Sequence, residues 1–414
     1  MIEEKPSSYR WVILTVAAIA SMPMMAGLSS FAVVAPHIVQ NAGLTPEQAS
    51  TAGTILTWGL WFGFGLASVL IGKLGIKGTL LCGLMFAAVP QFIMPFVTSY
   101  ELILVLRVIQ GLCSVVIPCL FAFVAGSGWF PAREGALAAG LFLGGINCGA
   151  FFGDFMANAL IGSGLHATMI FFGTFSMGVL ALCAVFMRTR DIPAPAAATA
   201  TAAAPPAEKK GVFSYKATWL LLLLFIPMCT PYWAAPVVWP QYAANVLEFT
   251  TDQITTVNLW VSLVGFIAVF GGVVSDGMMR KTGDPVRARL GCILCFMLVA
   301  FLGMLLPAFL GKTTMGPLVM TLILVGFTYA GIAVYWSLLG LVYPPDPEIS
   351  GKAASLLTFV GNSPVVFLTP LTVWLAAKTS WSTVFIVLTV VAVAVMLPAL
   401  HGLRKLISEN TPRA

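Results

Sequence analysis

Long hydrophobic runs, separated by short polar or glycine-containing segments, make up almost the whole chain. A membrane-spanning helix needs about 20 predominantly apolar residues, and twelve runs reach roughly that length. They are residues 11–36, 48–71, 78–98, 102–127, 134–161, 167–187, 217–244, 254–275, 290–310, 314–343, 353–376 and 381–401. This pattern predicts an all-α membrane protein with twelve transmembrane helices, which we call the first to the twelfth span.

A low-complexity segment divides these runs six and six. Residues 192–207 consist of alanine, proline, threonine and one isoleucine, a composition that cannot bury a core and is typical of an extended tether. We therefore expect an N-terminal six-helix half over residues 1–187, a cytoplasmic linker over 188–216 and a C-terminal six-helix half over 217–414.

The composition excludes a soluble protein. Of the 414 residues 59% are hydrophobic and 9% charged, and the mean hydropathy is +0.97, whereas soluble domains carry about 25% charged residues. Nearly all lysines and arginines lie at the termini or in every second connection between spans. Because cytoplasmic loops are enriched in these residues, we expect both termini on the cytoplasmic side of the cytoplasmic (inner) membrane. The net charge of +6 then reflects topology, and no nucleic-acid partner is expected.

The two halves repeat the same local pattern. Thr45-Pro46-Glu47-Gln48 follows the first span, and Thr250-Thr251-Asp252-Gln253 follows the seventh. A threonine, an acid in the first helical turn and a glutamine three residues after the threonine form a capping box. Asn147 and Asn362 also fall at matching places in the fifth and eleventh spans.

Two six-span halves with a long middle loop resemble the major facilitator superfamily. The segment from Gly272 to Asp276, followed by Arg280-Lys281-Thr282-Gly283, is similar to the loop motif of that family. The corresponding loop after the second span keeps Lys73, Gly75 and Lys77, but Gly72 stands where the family has an aspartate. This departure puts the charge lock of the N-terminal half in doubt.

Two further segments extend the resemblance. Arg107-Val108-Ile109-Gln110-Gly111 resembles the fourth-span motif, and Trp129-Phe130-Pro131 with Arg133-Glu134-Gly135 is similar to a loop of branches that carry organic anions. The resemblance implies a monomeric secondary transporter in the lipid bilayer that moves a small-molecule substrate, possible coupling to a proton, and no enzymatic activity, cofactor or metal. It also implies a gating motif, which we place at Lys73, Asp276, Arg280 and Lys281.

Four prolines interrupt the seventh span, at positions 227, 231, 236 and 240. The first span shares part of this pattern, since Pro23 and Pro36 have the same spacing as Pro227 and Pro240. Proline removes a helical N–H, and broken helices at membrane depth are tolerated where they line a cavity. We expect the seventh span to bend and to line the substrate cavity; the alternative is that the prolines only curve a helix.

Polar and aromatic side chains inside the spans are the candidate substrate contacts. They are Ser29, Ser30, Trp61, Arg107, Asn147, Thr230, Tyr232, Trp233, Tyr335, Trp336 and Asn362. Tyrosine and tryptophan offer an apolar face and one hydrogen-bond donor. The asparagines fit equally well a role in hydrogen bonding between helices.

Arg107 and Asp154 are the two charges deep within the predicted spans. Ionisable groups at such depth are expensive and are functional by default. Both lie roughly 8–10 Å from the outer end of their spans at 1.5 Å per residue, so we expect them to form a pair or to share the cavity. A structural lock, substrate contact by Arg107 and proton coupling by Asp154 all remain open.

The sequence favours transport of a small monoanionic organic acid, by proton symport or exchange. The interiors of the first, second, seventh and eighth spans contain no lysine or arginine, so a multiply charged anion would be poorly matched. The alternatives are proton-coupled efflux of amphipathic or cationic drugs and a non-transporting receptor on the same fold.

Overall fold

The computed structural model describes residues 7–126, 129–131, 133–188, 211–250, 253–254, 263–310, 315–344 and 346–410. Within these ranges the chain forms helices joined by short turns, and no strand occurs there. This confirms the predicted all-α architecture.

The N-terminal half contains the first six spans. Their helices are Tyr9–Ser29 and Phe31–Ala42 (first), Pro46–Ile93 (second and third), Tyr100–Gly111, Leu112–Val115, Val116–Phe121 and Ala122–Gly126 (fourth), Gly135–Leu160 (fifth) and Leu165–Phe186 (sixth). In the fourth span, Leu112–Val115 is a 3₁₀ segment and Ala122–Gly126 a π-helical one. Short 3₁₀ turns follow the third and fifth spans, at Met94–Phe96 and Ile161–Ser163.

The C-terminal half contains the other six. Its helices are Lys216–Asn245 (seventh), Ile267–Thr282 (eighth), Val286–Gly291, Cys292–Leu305 and Pro307–Leu310 (ninth), Met315–Trp336 and Leu339–Val342 (tenth), Pro347–Gly361 and Ser363–Lys378 (eleventh) and Trp381–Asn410 (twelfth). A 3₁₀ turn, Val212–Ser214, precedes the seventh span.

Eight helices of the described part are long and apolar enough to cross a membrane. One of them, Glu47–Phe96, covers both the second and the third predicted spans. It turns at Gly75, whose φ of 70° lies in the left-handed region that glycine adopts without strain. The seventh, eighth and eleventh spans, for which shorter or interrupted apolar stretches are described, complete the twelve.

Both predicted capping boxes are present. Gln48 N donates to Thr45 Oγ1 at 3.3 Å, and Thr45 N donates to Gln48 Oε1 at 2.9 Å. Thr250 and Gln253 repeat the two bonds at 3.3 and 2.9 Å. The second and eighth spans therefore start with the same local chemistry.

The seventh span is one continuous helix over Lys216–Asn245 despite its prolines, and the expected bend stays a prediction. A proline removes one backbone bond and leaves its neighbours intact, and in a membrane no bulk water competes for the freed carbonyl. The first span likewise continues through Ser30, whose φ of −57° and ψ of −21° are helical and whose N–H donates to the carbonyl of Ala26 at 3.0 Å.

The eleventh span is interrupted at Asn362, just before Pro364. Side chains bind the carbonyls near this break. Trp61 Nε1 donates to the carbonyl of Phe359 at 2.9 Å, and Ser363 Oγ donates to that of Val360 at 2.6 Å. Polar backbone groups at membrane depth need such partners.

The two halves meet along two pairs of helices, the fifth with the eighth and the second with the eleventh. Glycine permits the closest approach: a Cβ at Gly140 would lie 2.5 Å from the carbonyl oxygen of Ala268, and one at Gly272 would lie 2.5 Å from that of Ala136. Within the N-terminal half, Gly145 and Gly149 of the fifth span lie directly against the first span.

Candidate functional site

A cavity lies between the two halves at the middle of the bundle. The space open to the centre of a water molecule is about 90 Å³, several times the ~10–15 Å³ that one water needs. Its lining consists of Met24, Met25, Phe64, Ile117, Phe121, Leu143, Ile146, Asn147, Phe225, Cys229, Tyr329, Ile332, Trp336, Thr358 and Asn362. The equivalent spans of the two halves contribute in pairs: first and seventh, fourth and tenth, fifth and eleventh.

The wall of this cavity is mainly apolar and aromatic. Trp336 stacks on Phe121 across the boundary between the halves, with ring centroids 3.9 Å apart and planes at 20°. Phe225 meets the same tryptophan edge-on at 5.2 Å. No charged side chain belongs to the lining described above. Trp336 of the tenth span and Phe225 and Cys229 of the seventh belong to this lining, and their contact with a substrate stays a prediction.

Two asparagines place matched amides at the cavity. Asn147 Nδ2 donates to the carbonyl of Leu143 at 2.9 Å, and Asn362 Nδ2 donates to that of Thr358 at 2.8 Å. Each bond runs to the residue four positions earlier, so the same local geometry occurs once in each half. Asn147 also lies directly against the backbone of Gly265, where a Cβ would overlap its amide.

Four other predicted contacts lie outside the cavity lining. Tyr335 is buried between the seventh and tenth spans, where its hydroxyl donates to the carbonyl of Leu221 at 3.2 Å. Thr230 Oγ1 donates to the carbonyl of Ile226, and Ser29 Oγ to that of Ala150. Ser30 is buried in the first span. The side chains of Tyr232 and Trp233 lie outside the described residues.

Trp61 lies between the second and eleventh spans. Besides its hydrogen bond to Phe359, its ring stacks on the ring of that residue at 4.5 Å and 19° and meets Phe367 edge-on at 5.3 Å. It therefore joins the two halves next to the break in the eleventh span, rather than lining the cavity.

Arg107 is buried, with 1% of its surface exposed. Its Nε donates to the carbonyl of Ala52 at 3.1 Å, its Nη1 donates to Gln110 Oε1 at 2.6 Å, and its guanidinium carbon lies 3.6 Å from the ring centre of Phe31. Backbone, amide and aromatic face thus hold the charge in place of a carboxylate.

The expected ion pair between Arg107 and Asp154 is absent from the described part of the chain. The expectation assumed that consecutive spans are neighbours. Instead the first part of the fourth span, Tyr100–Gly111, packs on the second, and the fifth packs on the first. Asp154 is half-buried and lies seven residues beyond Asn147, two turns further along the fifth span on the same helical face.

One end of the bundle carries the basic loops. We call this end the basic end and define it by Arg10, Gly72, Asp276 and Arg289. A buried ion pair lies there. Asp276 Oδ1 lies 2.6 Å from Arg289 Nη1. The same carboxylate accepts the backbone N–H of Leu137 at 2.6 Å and that of Ala136 at 3.3 Å. Because these are the first free amides of the fifth span, Asp276 joins the C-terminal half to a helix N-terminus of the N-terminal half.

Arg289 was not among the predicted gating residues. The sequence does contain a sign of it: Arg289 lies at the start of the apolar run of the ninth span, in Arg289-Leu290-Gly291. A charged residue at such a position is unusual and suggests a function. Of the predicted residues, Arg280 Nε donates to the backbone carbonyl of Asp276 at 3.4 Å, and Lys281 is exposed.

The second gating position lacks a carboxylate. Lys73 is exposed, and a Cβ at Gly72 would lie 3.5 Å from the ammonium of Lys352 in the eleventh span. That ammonium pairs instead with Glu348 of its own helix at 2.7 Å.

Comparison with known proteins decides the family. The model of the Major Facilitator Superfamily matches residues 17–368. The chain belongs to the major facilitator superfamily. Among solved structures, the proton:xylose symporter XylE bound to 6-bromo-6-deoxy-D-glucose aligns with a TM-score of 0.70 at 12% identity over 95% of both chains.

The major facilitator transporter FucP in the outward conformation aligns with a TM-score of 0.68 at 16% identity, over 96% of this chain and 99% of its own. A variant of the E. coli fucose:proton symporter FucP gives the same score at 17% identity. No curated protein sequence matches the chain. At these identities the structural likeness shows the fold, and the family makes the protein a multi-pass membrane transporter with a small-molecule substrate.

Proposed function

We propose that the protein is a secondary transporter that carries a small monoanionic organic acid across the cytoplasmic membrane, together with a proton or in exchange. The observation that carries this proposal is the cavity between the halves, walled by apolar and aromatic side chains and supplied with two amides. Such a site suits a small solute with an apolar body and a single polar end. A multiply charged anion would need cations that the described lining lacks.

Alternating access requires that one end of the bundle be closed while the other admits the substrate. The contacts of Asp276 with Arg289 and the fifth span close the basic end. Further contacts between the halves continue to the level of Trp61 and Phe359. We infer that this conformation receives its substrate from the opposite end, the predicted outer side.

Two routes exist for the coupling proton, the substrate itself and a protein group; Asp154 is the candidate protein group, since it lies outward of the cavity on the face of Asn147. Replacing it by asparagine keeps the shape and removes the titrating group. We expect Asp154→Asn to uncouple uptake from a pH gradient in proteoliposomes if the protein carries the proton. Equal acceleration of wild type and variant by the gradient would contradict this role.

Thermal unfolding of the purified carrier against a ligand panel tests the substrate class. The panel contains short mono- and dicarboxylates, sulfonates, quaternary amines and lipophilic drugs. A ligand that binds only the folded state raises the melting temperature by mass action, and we expect shifts with monocarboxylates. Uptake of the labelled compound into proteoliposomes then establishes transport.

Lipophilic cations form the second candidate class, because five aromatic side chains line the cavity and aromatic faces attract cations. Thermal shifts with these compounds alone would overturn the organic-acid proposal in favour of drug efflux.

A further inference from the structure

Among the described residues of the cavity lining, Asn147 and Asn362 are the two that carry amide side chains. Thr358 Oγ1 is already bonded to carbonyls of its own helix, at 2.7 Å from Ala354 and 3.0 Å from Ser355. The titratable side chains in the lining are Cys229 and Tyr329, both of types that are uncharged at neutral pH. A bound carboxyl group would therefore meet amides rather than charges.

The bonding of these amides leaves a defined set of free groups. Each –NH₂ uses one hydrogen on the carbonyl four residues earlier. An asparagine side chain has two N–H donors and one acceptor oxygen. Each amide therefore keeps one N–H and its Oδ1 for a ligand, that is, one donor and one acceptor.

A carboxylate could accept the two free N–H groups but would leave both amide oxygens unpaired and its own charge without a cation in the described lining, whereas a neutral carboxylic acid can bond a donor and an acceptor. The acid has one O–H donor and a carbonyl acceptor, whereas the ionised group only accepts. A carboxylate would face two amide oxygens that it could not bond, in a wall that is otherwise mainly apolar.

The charged residues nearest to the cavity do not favour the carboxylate over the neutral acid. Arg107 is covered by the ring of Phe31 and bonded to Ala52 and Gln110, so its guanidinium is occupied away from the cavity. Asp154, two turns beyond Asn147 on the fifth span, would repel an anion when it is ionised.

We propose, resting on the function above, that the substrate occupies the cavity as the uncharged acid, with its carboxyl group held by Asn147 and Asn362. The carboxylate takes one proton from water on the side of entry, crosses as the neutral acid, and returns that proton to water on the side of exit. The coupling proton then travels on the substrate, and no protein group changes its protonation. Uptake moves one proton with each acid and is electroneutral.

Competition among probes of similar shape tests the form that binds. The probes are butyrate, butyramide, propane-1-sulfonate and 2-fluorobutyrate, a stronger acid of nearly the same size as butyrate. Butyramide is neutral with donors and an acceptor, and the sulfonate is always ionised. We expect butyramide to inhibit butyrate uptake into proteoliposomes and the sulfonate not to inhibit it.

The two acids add a quantitative expectation. At neutral pH the apparent KM should be about tenfold higher for each unit by which the pKa of the acid is lower, because the neutral fraction falls tenfold. A KM that is equal for the two acids, or inhibition by the sulfonate as strong as by butyramide, would overturn the proposal.

Substitution of the two asparagines tests whether their amides bind the ligand. Asn147→Leu and Asn362→Leu should each abolish the thermal shift caused by butyramide, an assay that needs no proton gradient. The matched control is Asn158→Leu, because Asn158 Nδ2 makes the same bond to the residue four positions earlier, at 2.8 Å, but is exposed. Retention of the shift in both cavity variants would contradict the assignment.

The outcomes separate this proposal from the one on which it rests. If no monocarboxylate binds or is transported, the proposed function fails. If butyrate is transported but the sulfonate competes and Asp154→Asn abolishes proton coupling, the proposed function stands and the neutral-acid form is wrong.

Discussion

The two positions at the basic end that the family resemblance predicts for gating differ in their chemistry. In the C-terminal half, Asp276 is fully buried and binds both Arg289 and the first free amides of the fifth span. In the N-terminal half, the predicted position is occupied by Gly72, beside a lysine that pairs within its own helix.

Because of this difference, the two contacts between the halves at the basic end are stabilised by different interactions. The fifth and eighth spans are held by a buried charge and backbone N–H groups, which lose much when one partner is removed. The second and eleventh spans are held by packing and by neutral bonds, such as that from Ser355 Oγ to the carbonyl of Phe64 at 2.6 Å. We therefore expect opening to begin between the second and eleventh spans.

The largest expected effect follows from Asp276→Ala, which makes the two positions alike. It leaves Arg289 charged and buried, with 1% of its side chain exposed, and should lower the free energy of unfolding by about 3–5 kcal/mol. Thermal unfolding measures this loss. The control is Asp284→Asn, whose partner lies at 3.8 Å with the two side chains 75% and 41% exposed, for which we expect less than about 1 kcal/mol. Equal losses of unfolding free energy in the two variants would contradict the expectation that the buried charge of Asp276 stabilises the contact between the fifth and eighth spans.

A smaller effect is expected where the backbones of the eighth and fifth spans touch. The Cβ of Gly272→Ala would lie 2.5 Å from the carbonyl oxygen of Ala136 and 2.7 Å from Leu137 Cα, so the helices must separate, at about 1–3 kcal/mol. We expect a lower melting temperature. We also expect greater reactivity of a cysteine placed at Ser337, a buried residue of the C-terminal half that lies against Gly135 at the start of the fifth span. Gly277→Ala in the same helix meets nothing within 4 Å and should be neutral or slightly stabilising. If both alanine variants have the same melting temperature and cysteine reactivity, close backbone contact does not stabilise the packing of the fifth and eighth spans.

The smallest effect is expected when a carboxylate is added at position 72 of the N-terminal half. Gly72→Asp would place a carboxylate beside Lys352 and restore a lock between the second and eleventh spans. For a partly exposed pair we expect about 0.2–1 kcal/mol, enough to slow opening up to about fivefold. Uptake rates in proteoliposomes measure it. Gly72→Asn carries the shape without the charge, and an equal slowing in that variant, or no salt dependence, would contradict a restored lock.

Local sequence patterns predicted local structure well. The two capping boxes form with the same distances in both halves because each needs only residues three apart. Gly75, which lies between two hydrophobic runs, takes the left-handed backbone that glycine adopts without strain. Asn147, Asn362 and Trp336 reach the cavity, although their contact with a substrate stays a prediction.

The errors concern relations between distant segments. The pairing of Arg107 with Asp154 rested on equal depth, but depth does not say which helices are neighbours. Arg289 escaped notice because its partner lies in another span.

The sequence by itself determined the membrane class, the spans, their caps and the six-plus-six repeat. These follow from hydrophobic length and from bonds between near residues, and they hold whatever the helices pack against. The tertiary structure alone decided that Arg107 is covered by Phe31, that Asp276 binds the fifth span, and that two amides meet an uncharged cavity. Such contacts depend on which helix faces lie together, and only the packing of all the spans fixes that.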